Sequence, residues 1–230
     1  MASTVKICGL STADTLDAAL TAGADMVGLV FFEKSPRFVG LDHARTLAEQ
    51  ARGQAKIVAL SVDPSDNMLA AIVRALDPDF LQLHGSESPQ RVAEIRALFD
   101  IPVIKAIGVA AADDFTRAND YAEAADWLLI DAKPPKGAEL PGGNGAPFDW
   151  RLASGFAPAK PWLLSGGLDA ANVAEAIALS GARGVDVSSG VENAPGVKDA
   201  RKIAMFVQNA RDAFAPTSPA RDEGTVERPT

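Results

Sequence analysis

The run Val5-Lys6-Ile7-Cys8-Gly9 has the composition of a short β-strand and contains the only cysteine among 230 residues. Side chains alternate between the two faces of a strand, so Lys6 and Cys8 share one face and Ile7 takes the other. A free cysteine is usually a small, inert, buried residue. The run therefore predicts the first strand of the fold and leaves two interpretations of Cys8, a core residue or a reactive thiol.

Seven further β-prone runs follow this strand, and alanine-rich segments with helical spacing of apolar residues lie between them. The predicted strands are residues 4–8, 26–31, 56–61, 80–83, 103–106, 127–130, 162–164 and 184–187. The predicted helices are residues 12–22, 42–52, 67–76, 89–99, 111–123, 149–154, 170–180 and 197–213. Leu16, Ala19 and Leu20 recur at helical intervals in the first helix, which indicates a face packed on a core.

Eight strand-helix units with nearly continuous apolar strands indicate a parallel sheet covered by helices. The count of eight favours closure, so we predict an α/β fold with a single (β/α)8 TIM barrel over residues 1–213. A doubly wound open sheet is the alternative. Its G-x-G-x-x-G fingerprint is absent, because Gly9 is followed by Leu10 and Ser11. Residues 214–230, with three prolines and a glycine, predict a mobile tail.

Composition restricts the partners and the compartment. Apolar residues make up 47% and charged residues 23%, which is typical of a globular protein. The net charge is -8 and there is no basic stripe, so we expect no nucleic-acid partner. We also expect no membrane span, since no apolar run reaches about 18 residues. One cysteine and no recognisable signal peptide predict a cytoplasmic protein.

Polar residues at the carboxyl ends of the predicted strands are the functional candidates, because (β/α)8 enzymes have their active sites at that rim. They are Cys8, Arg37, Asp63, Gln82, His84, Lys105, Asp131, Asp186 and Ser188. Two separated histidines and one thiol lack the spacing of zinc ligands, so we expect no metal.

Two loops rich in small residues follow strands 7 and 8. They read Ser165-Gly166-Gly167-Leu168-Asp169 and Ser188-Ser189-Gly190-Val191-Glu192. Such barrels frequently bind a phosphate at this position through exposed backbone N–H groups. The loops therefore predict a phosphate site, and ordinary turns are the alternative.

Two other loops carry candidate charges. Arg37 follows the rigid Pro36, and an arginine fork suits a carboxylate, whereas a solvated surface arginine is the alternative. The connection over residues 132–147 is long enough to predict a lid or binding loop. Asp131 opens this connection, so we expect its carboxyl to face the cavity; a helix N-cap or a surface aspartate is the competing interpretation.

Seven motifs, taken together, resemble the phosphoribosylanthranilate isomerase family. They are Lys6-Ile7-Cys8-Gly9, residues 31–39 with Ser35-Pro36-Arg37, Gln82-Leu83-His84-Gly85, Leu129-Ile130-Asp131, residues 142–150, Ser165-Gly166-Gly167-Leu168, and residues 184–192. The resemblance spans residues 4 to about 210 and touches nearly every loop on one face of the barrel. It favours the reactive-thiol interpretation of Cys8.

The resemblance implies a cofactor-free Amadori rearrangement in tryptophan biosynthesis. N-(5'-phosphoribosyl)anthranilate would become 1-(2-carboxyphenylamino)-1-deoxyribulose 5-phosphate, with Cys8 as general base and Asp131 as general acid. Arg37 would bind the anthranilate carboxylate. The phosphate would bind at Gly166, Gly167, Ser188, Ser189 and Gly190, and the further substrate-binding candidates are Gln82, His84 and Asp186. The partner implied is this small molecule, and the chain would be a monomer or a homodimer.

Elementary chemistry agrees with these roles. Opening the ribose ring requires a proton on its oxygen, and forming the enolamine requires removal of a proton from C2', so an acid and a base must flank the sugar. The base is a thiolate, which Lys6 on the same strand face would favour. Asp131 must be protonated when it acts, which burial or a neighbouring negative charge favours.

The chain departs from the family pattern at Gly142-Gly143-Asn144-Gly145, where the family loop usually reads Gly-Gly-Thr-Gly. A role for Asn144 is therefore not carried over.

Three alternatives stay open at this point. One is another phosphosugar barrel of histidine or tryptophan synthesis, although the histidine isomerases would place an aspartate where this chain has Cys8. Another is a Schiff-base aldolase that uses Lys105, Lys6 or Lys133. The last is an inactive barrel that serves as a binding subunit.

Overall fold

Eight parallel strands form a closed barrel in the computed structural model, which describes residues 3–133, 142 and 147–215. The strands are β1 (Thr4–Cys8), β2 (Met26–Val30), β3 (Lys56–Ser61), β4 (Phe80–Leu83), β5 (Val103–Val109), β6 (Trp127–Ala132), β7 (Trp162–Leu164) and β8 (Gly184–Val187). Each strand pairs with the next in chain order, and β8 pairs with β1. The predicted (β/α)8 barrel is confirmed.

Seven α-helices cover the barrel within the described residues. They are α1 (Ala13–Thr21), α2 (Leu41–Ala51), α3 (Asp66–Leu76), α4 (Pro89–Phe99), α5 (Ala112–Asn119), α6 (Val173–Ser180) and α7 (Ala200–Phe214). The helix predicted at 149–154 is a single 3-10 turn, Trp150–Ala153. Thr12, Ser65 and Ser88 begin α1, α3 and α4 by accepting a backbone N–H three residues ahead, which satisfies a donor that the helix leaves unpaired.

The segment between β8 and α7 differs from the prediction. A 3-10 turn (Ser189–Val191) is followed by an antiparallel hairpin of β9 (Glu192–Ala194) and β10 (Val197–Lys198). The prediction that a helix begins at residue 197 is therefore wrong. The helix begins at Ala200 because the Asp199 carboxylate accepts the N–H groups of Arg201 and Lys202.

Alternating side chains separate two packed regions. Val5 and Ile7 of β1 point outward into the core shared with the helices. Inside the barrel, one layer is built from Met26, Val58, Ile104, Ala106, Leu129 and Leu163, and the layer at the carboxyl rim contains Cys8, Val30 and Leu60. The inward orientation of Cys8 agrees with the alternation along β1.

No helix in the described part of the chain is both long enough and apolar enough to cross a bilayer. The predicted tail lies outside the described residues from 216 onward, and so does most of the predicted lid, at residues 134–141 and 143–146.

Candidate active site

Cys8 lies at the carboxyl end of β1 and is 4% exposed, with Val30, Leu60 and Phe32 packed around it. Burial raises the pKa of the Cys8 thiol above its ordinary value. The positive charges of Lys6 and Lys198 work in the opposite direction without overcoming burial. The expectation that Lys6 favours the thiolate has the correct sign, but burial has the larger effect on the pKa of Cys8.

Lys6 itself is fully buried, and its Nζ lies 2.6 Å from Oδ1 of Asp186. Burial opposes the charge of this lysine, but Asp186 and Cys8 outweigh it and raise its pKa. The other oxygen of Asp186 lies 3.4 Å from Oγ of Ser165. Asp186 therefore holds Lys6 beside Cys8, a contact that differs from the direct substrate contact expected for it. The pairing was missed because it depends on the register of β1 against β8, which sets Lys6 opposite Asp186.

Asp131 ends a chain of three hydrogen-bonded side chains that crosses from β4 to β6. His84 Nε2 lies 3.2 Å from Asp131 Oδ2, and Gln82 Nε2 lies 3.2 Å from His84 Nδ1. The second oxygen of Asp131 accepts the N–H of Ala132 at 2.9 Å. Gln82 is 0% exposed, and its hydrogen bond to His84 links it to the rim. Its Oε1 has no hydrogen-bond partner among the described residues.

Gly142 packs directly on this chain. A Cβ built at this position would lie 2.6 Å from His84 Nε2 and 2.7 Å from Asp131 Oδ2. Atoms this close would have to move, so only glycine leaves the pair undisturbed. The neighbouring Asn144 lies outside the described residues.

Arg37 is buried, which excludes the solvated-surface interpretation. Its Nε lies 2.7 Å from Oε1 of Glu192, and its Nη2 lies 2.9 Å from Oε2 of the same carboxylate. Lys198 donates to Oε1 of Glu192 at 2.8 Å. Neither Glu192 nor Lys198 was assigned a role from the sequence. The available signal was the position of Glu192, the last residue of a predicted phosphate loop.

The two predicted phosphate loops touch each other. Gly166 and Gly167 have positive φ angles of 87° and 66°, which glycine adopts without strain. A Cβ on Gly190 would overlap the carbonyl oxygen of Leu168, so the loop after β8 lies against the loop after β7. The side chain and carbonyl of Ser188 both accept hydrogen bonds from Lys198.

The lysines of the aldolase alternative are engaged elsewhere. Lys105 is buried and donates to Glu87 at 2.7 Å and to the carbonyl of Gly85 at 2.8 Å. Lys133 is half exposed and lies 3.6 Å from Asp114. A Schiff base requires a neutral amine, and carboxylate partners favour the charged form. These contacts, and that of Lys6 with Asp186, argue against the aldolase. In the described ranges, no group of three or more His, Cys, Asp or Glu could hold a metal ion.

The barrel, with a thiol, a carboxyl and two glycine-containing loops along its carboxyl rim, defines a (β/α)8-barrel enzyme. The sequence matches the family model of N-(5'-phosphoribosyl)anthranilate (PRA) isomerase over residues 5–209. The chain therefore belongs to the N-(5'-phosphoribosyl)anthranilate isomerase family.

Individual relatives agree with this assignment. The chain is 57% identical to the N-(5'-phosphoribosyl)anthranilate isomerase of Rhodopseudomonas palustris (strain HaA2), over 92% of this chain and 97% of that protein. It is 58% identical to the isomerase of Cereibacter sphaeroides (strain ATCC 17029 / ATH 2.4.9), over 90% of this chain and 98% of the relative.

Solved structures give the same result. The Thermotoga maritima phosphoribosylanthranilate isomerase superposes with a TM-score of 0.82 at 35% identity, covering 92% of this chain and 100% of that chain. A phosphoribosylanthranilate isomerase in complex with reduced 1-(o-carboxyphenylamino)-1-deoxyribulose 5-phosphate superposes with a TM-score of 0.80 at 33% identity, with the same coverage.

Proposed function

We propose that this chain catalyses the reaction of its family in tryptophan biosynthesis. N-(5'-phosphoribosyl)anthranilate is converted to 1-(2-carboxyphenylamino)-1-deoxyribulose 5-phosphate by general acid-base catalysis. The observation that carries the proposal is the family match over residues 5–209, which contains every residue assigned a role below.

The reaction needs two proton transfers. Asp131 donates a proton to the ribose ring oxygen, the bond from C1' to that oxygen breaks, and the anthranilate nitrogen stabilises C1' as an iminium ion. The Cys8 thiolate then removes the proton from C2', which yields an enolamine. Loss of the C2' hydroxyl proton and protonation of C1' then give the aminoketose, so substrate and product have the same atoms. Before the next turnover Cys8 loses its proton to solvent and Asp131 regains one.

The surroundings of Cys8 support its role as base. A thiolate in an apolar, buried position is a stronger base than one in water, because water does not stabilise its charge. Lys6 and Lys198 provide positive charge nearby, so the thiolate has partners once it forms. Asp186 supports this role indirectly because it holds Lys6 in place.

The contacts of Asp131 support its role as acid. When Asp131 is ionised, His84 donates through Nε2, and Gln82 donates to Nδ1. When Asp131 carries the proton, it donates to Nε2; the imidazole then carries its hydrogen on Nδ1, which the Gln82 oxygen accepts once the amide turns over. Gln82 and His84 therefore fit a role in holding the acid rather than in direct substrate binding.

Both ends of the substrate have candidate partners. Arg37 is suited to the anthranilate carboxylate. Backbone N–H groups and hydroxyls at Gly166, Gly167, Ser188, Ser189 and Gly190 are suited to the phosphate. Holding the two ends positions the ribose between acid and base, which removes much of the entropic cost of the reaction.

The direct test is a fluorescence assay that follows phosphoribosylanthranilate consumption by the purified chain. We expect the wild-type chain to turn over the substrate. The Cys8→Ala variant, purified in parallel, should do so much more slowly. Absence of turnover by the folded wild-type chain would reject the proposal. Conversion of the histidine-pathway aminoaldose alone would favour the other phosphosugar barrels.

Two further expectations concern the compartment and the oligomeric state. A thiol base must remain reduced, which suits a reducing compartment such as the cytoplasm. The chain is expected to be a monomer or a homodimer, and the Thermotoga maritima relative is described as dimeric.

A further inference from the structure

Glu192 is a buried carboxylate at the start of the hairpin that follows β8. Its side chain is 4% exposed, and its two oxygens accept four hydrogen bonds. Oε1 accepts from Arg37 Nε and Lys198 Nζ, and Oε2 accepts from Arg37 Nη2 and, at 3.2 Å, from the N–H of Gly196. Burial opposes its charge, but the hydrogen bond from Arg37 and the charge of Lys198 outweigh this and keep the pKa of Glu192 below its ordinary value.

The pairing between Arg37 and Glu192 is two-pronged. Two parallel N–H···O bonds fix the plane of the guanidinium as well as its position, which a single contact does not do. A guanidinium has five N–H groups and this pair uses two of them. The carboxylate therefore determines the direction in which the rest of the guanidinium points.

The same carboxylate is tied to the predicted phosphate loop. Lys198 donates to Glu192 and also to the carbonyl and hydroxyl of Ser188, at 2.9 and 3.1 Å. Gly9, the residue after Cys8, lies between Arg37 and Ser188. A Cβ on Gly9 would lie 2.6 Å from Arg37 Cδ and 3.1 Å from Ser188 Oγ.

We infer that Glu192 is a positioning residue, which orients the Arg37 guanidinium toward the aromatic carboxylate of the substrate and, through Lys198, fixes it relative to Ser188. This inference rests on the proposed function. Glu192 itself does not touch the substrate, because its oxygens are already occupied by Arg37, Lys198 and Gly196.

A double-mutant cycle in the full-length chain tests the inference. The variants are Glu192→Gln, Arg37→Ala and their combination, and the ligand is reduced 1-(2-carboxyphenylamino)-1-deoxyribulose 5-phosphate, titrated by calorimetry. Glu192→Gln is expected to weaken binding at least about 10-fold when Arg37 is present, as for loss of a hydrogen bond to a charged group. In the Arg37→Ala background the same change should alter binding by no more than about 2-fold. Equal effects in both backgrounds would overturn the inference.

Steady-state kinetics give a second readout that a merely structural role would not produce. Glu192→Gln should raise KM for phosphoribosylanthranilate and change kcat by less than about 3-fold, because the carboxylate is bound similarly in ground and transition states. A loss of kcat with unchanged KM would contradict the inference. Wild-type turnover in the same assay separates this failure from a failure of the proposed function.

Asp25→Asn is the matched control. Asp25 also accepts from an arginine, Arg211 at 2.7 Å, and from a backbone N–H, that of Val5 at 2.6 Å, but at the amino-terminal end of the barrel. It should leave Kd and KM unchanged. If Glu192→Gln does not fold, Glu192→Asp takes its place in the cycle, because it keeps the negative charge but is too short to make both contacts with Arg37. The same comparison between the two backgrounds applies.

Discussion

Cys8 and Asp131 lie at the ends of β1 and β6 and have different surroundings. The thiol is packed among apolar side chains with one buried cation, Lys6, on its own strand. The carboxyl is held by hydrogen bonds from His84 and from the N–H of Ala132. The thiol is thus placed to accept a proton, and the carboxyl is held in a fixed position from which it can donate one.

Removing either group should stop the reaction without disturbing the barrel. We expect Cys8→Ala and Asp131→Asn each to lower kcat at least about 100-fold, the lower end of the usual contribution of a general acid or base. Far-UV circular dichroism should be unchanged. Rates near those of the wild type in both variants would refute the assigned roles.

The pH dependence follows from the raised pKa of Cys8. The base is active as thiolate, so kcat/KM should rise with pH through the alkaline range in which the buried thiol ionises. Lys6→Met removes a cation that lowers the pKa of Cys8, so the rising limb should move to higher pH. A limb that stays in place, or that moves to lower pH, would contradict this assignment. The measurement is kcat/KM from pH 6 to the alkaline limit of stability.

At the scale of elements, the buried carboxylate of Glu87 in loop β4–α4 is linked to β5 by an ion pair and to loop β3–α3 by a backbone hydrogen bond. Glu87 Oε2 accepts from Lys105 of β5 at 2.7 Å. Its Oε1 accepts the N–H groups of Asp63 and Gly85 at 2.9 and 3.2 Å. Because Gly85 follows His84 directly, this pair also fixes the loop that supports Asp131.

Breaking this pair should cost stability. Glu87→Gln leaves the Lys105 ammonium buried without its counter-charge, which is expected to lower the free energy of unfolding by about 3 kcal/mol in urea titrations. Asp42→Asn is the control, because its ion pair with Arg45 is exposed and should be worth less than about 0.5 kcal/mol. Equal losses in the two variants would show that burial does not strengthen the pair.

Loop β2–α2 is also held by a buried ion pair, that between Arg37 and Glu192. Arg37→Ala should mainly raise KM for phosphoribosylanthranilate, because it removes a contact to the anthranilate end far from the transferred proton. Steady-state kinetics at saturating and limiting substrate would measure this. An unchanged apparent affinity would remove the assignment of Arg37 to the carboxylate.

At the scale of the whole molecule, the last helix, α7, is attached to the amino-terminal end of the barrel. Arg211 donates to the carbonyls of Ser3 and Gly23 and to the Asp25 carboxylate, so the last helix is tied to both ends of the first strand-helix unit. The helix ends at Phe214, and the family match ends at residue 209.

Truncation after Ala215 should therefore leave catalysis intact. We expect kcat/KM within about 2-fold of the full chain, because every residue assigned a role lies within the family match, which ends at residue 209. The fluorescence assay on both forms measures this. A loss of activity that tracks the truncation would assign a function to residues 216–230.

Local patterns were sufficient for most of the fold. β1, β3, β4, β7 and β8 have the predicted bounds, because β-branched runs and turn residues act within a few positions. β5 and β6 are longer than predicted, because the hydrogen-bonded pairing between them continues past the pair of Gly108 and Asp131. A strand length that depends on its neighbour is not encoded in the strand alone.

The sequence by itself determined the number and order of the barrel strands, the shared strand face of Lys6 and Cys8, and the candidates at the carboxyl rim. Only the tertiary structure decided which of them touch. Lys6 meets Asp186 across 180 positions, and Arg37 meets Glu192 across 155. Closing the barrel brings strand ends together regardless of their separation in the chain, and burial then makes each charge depend on its partner.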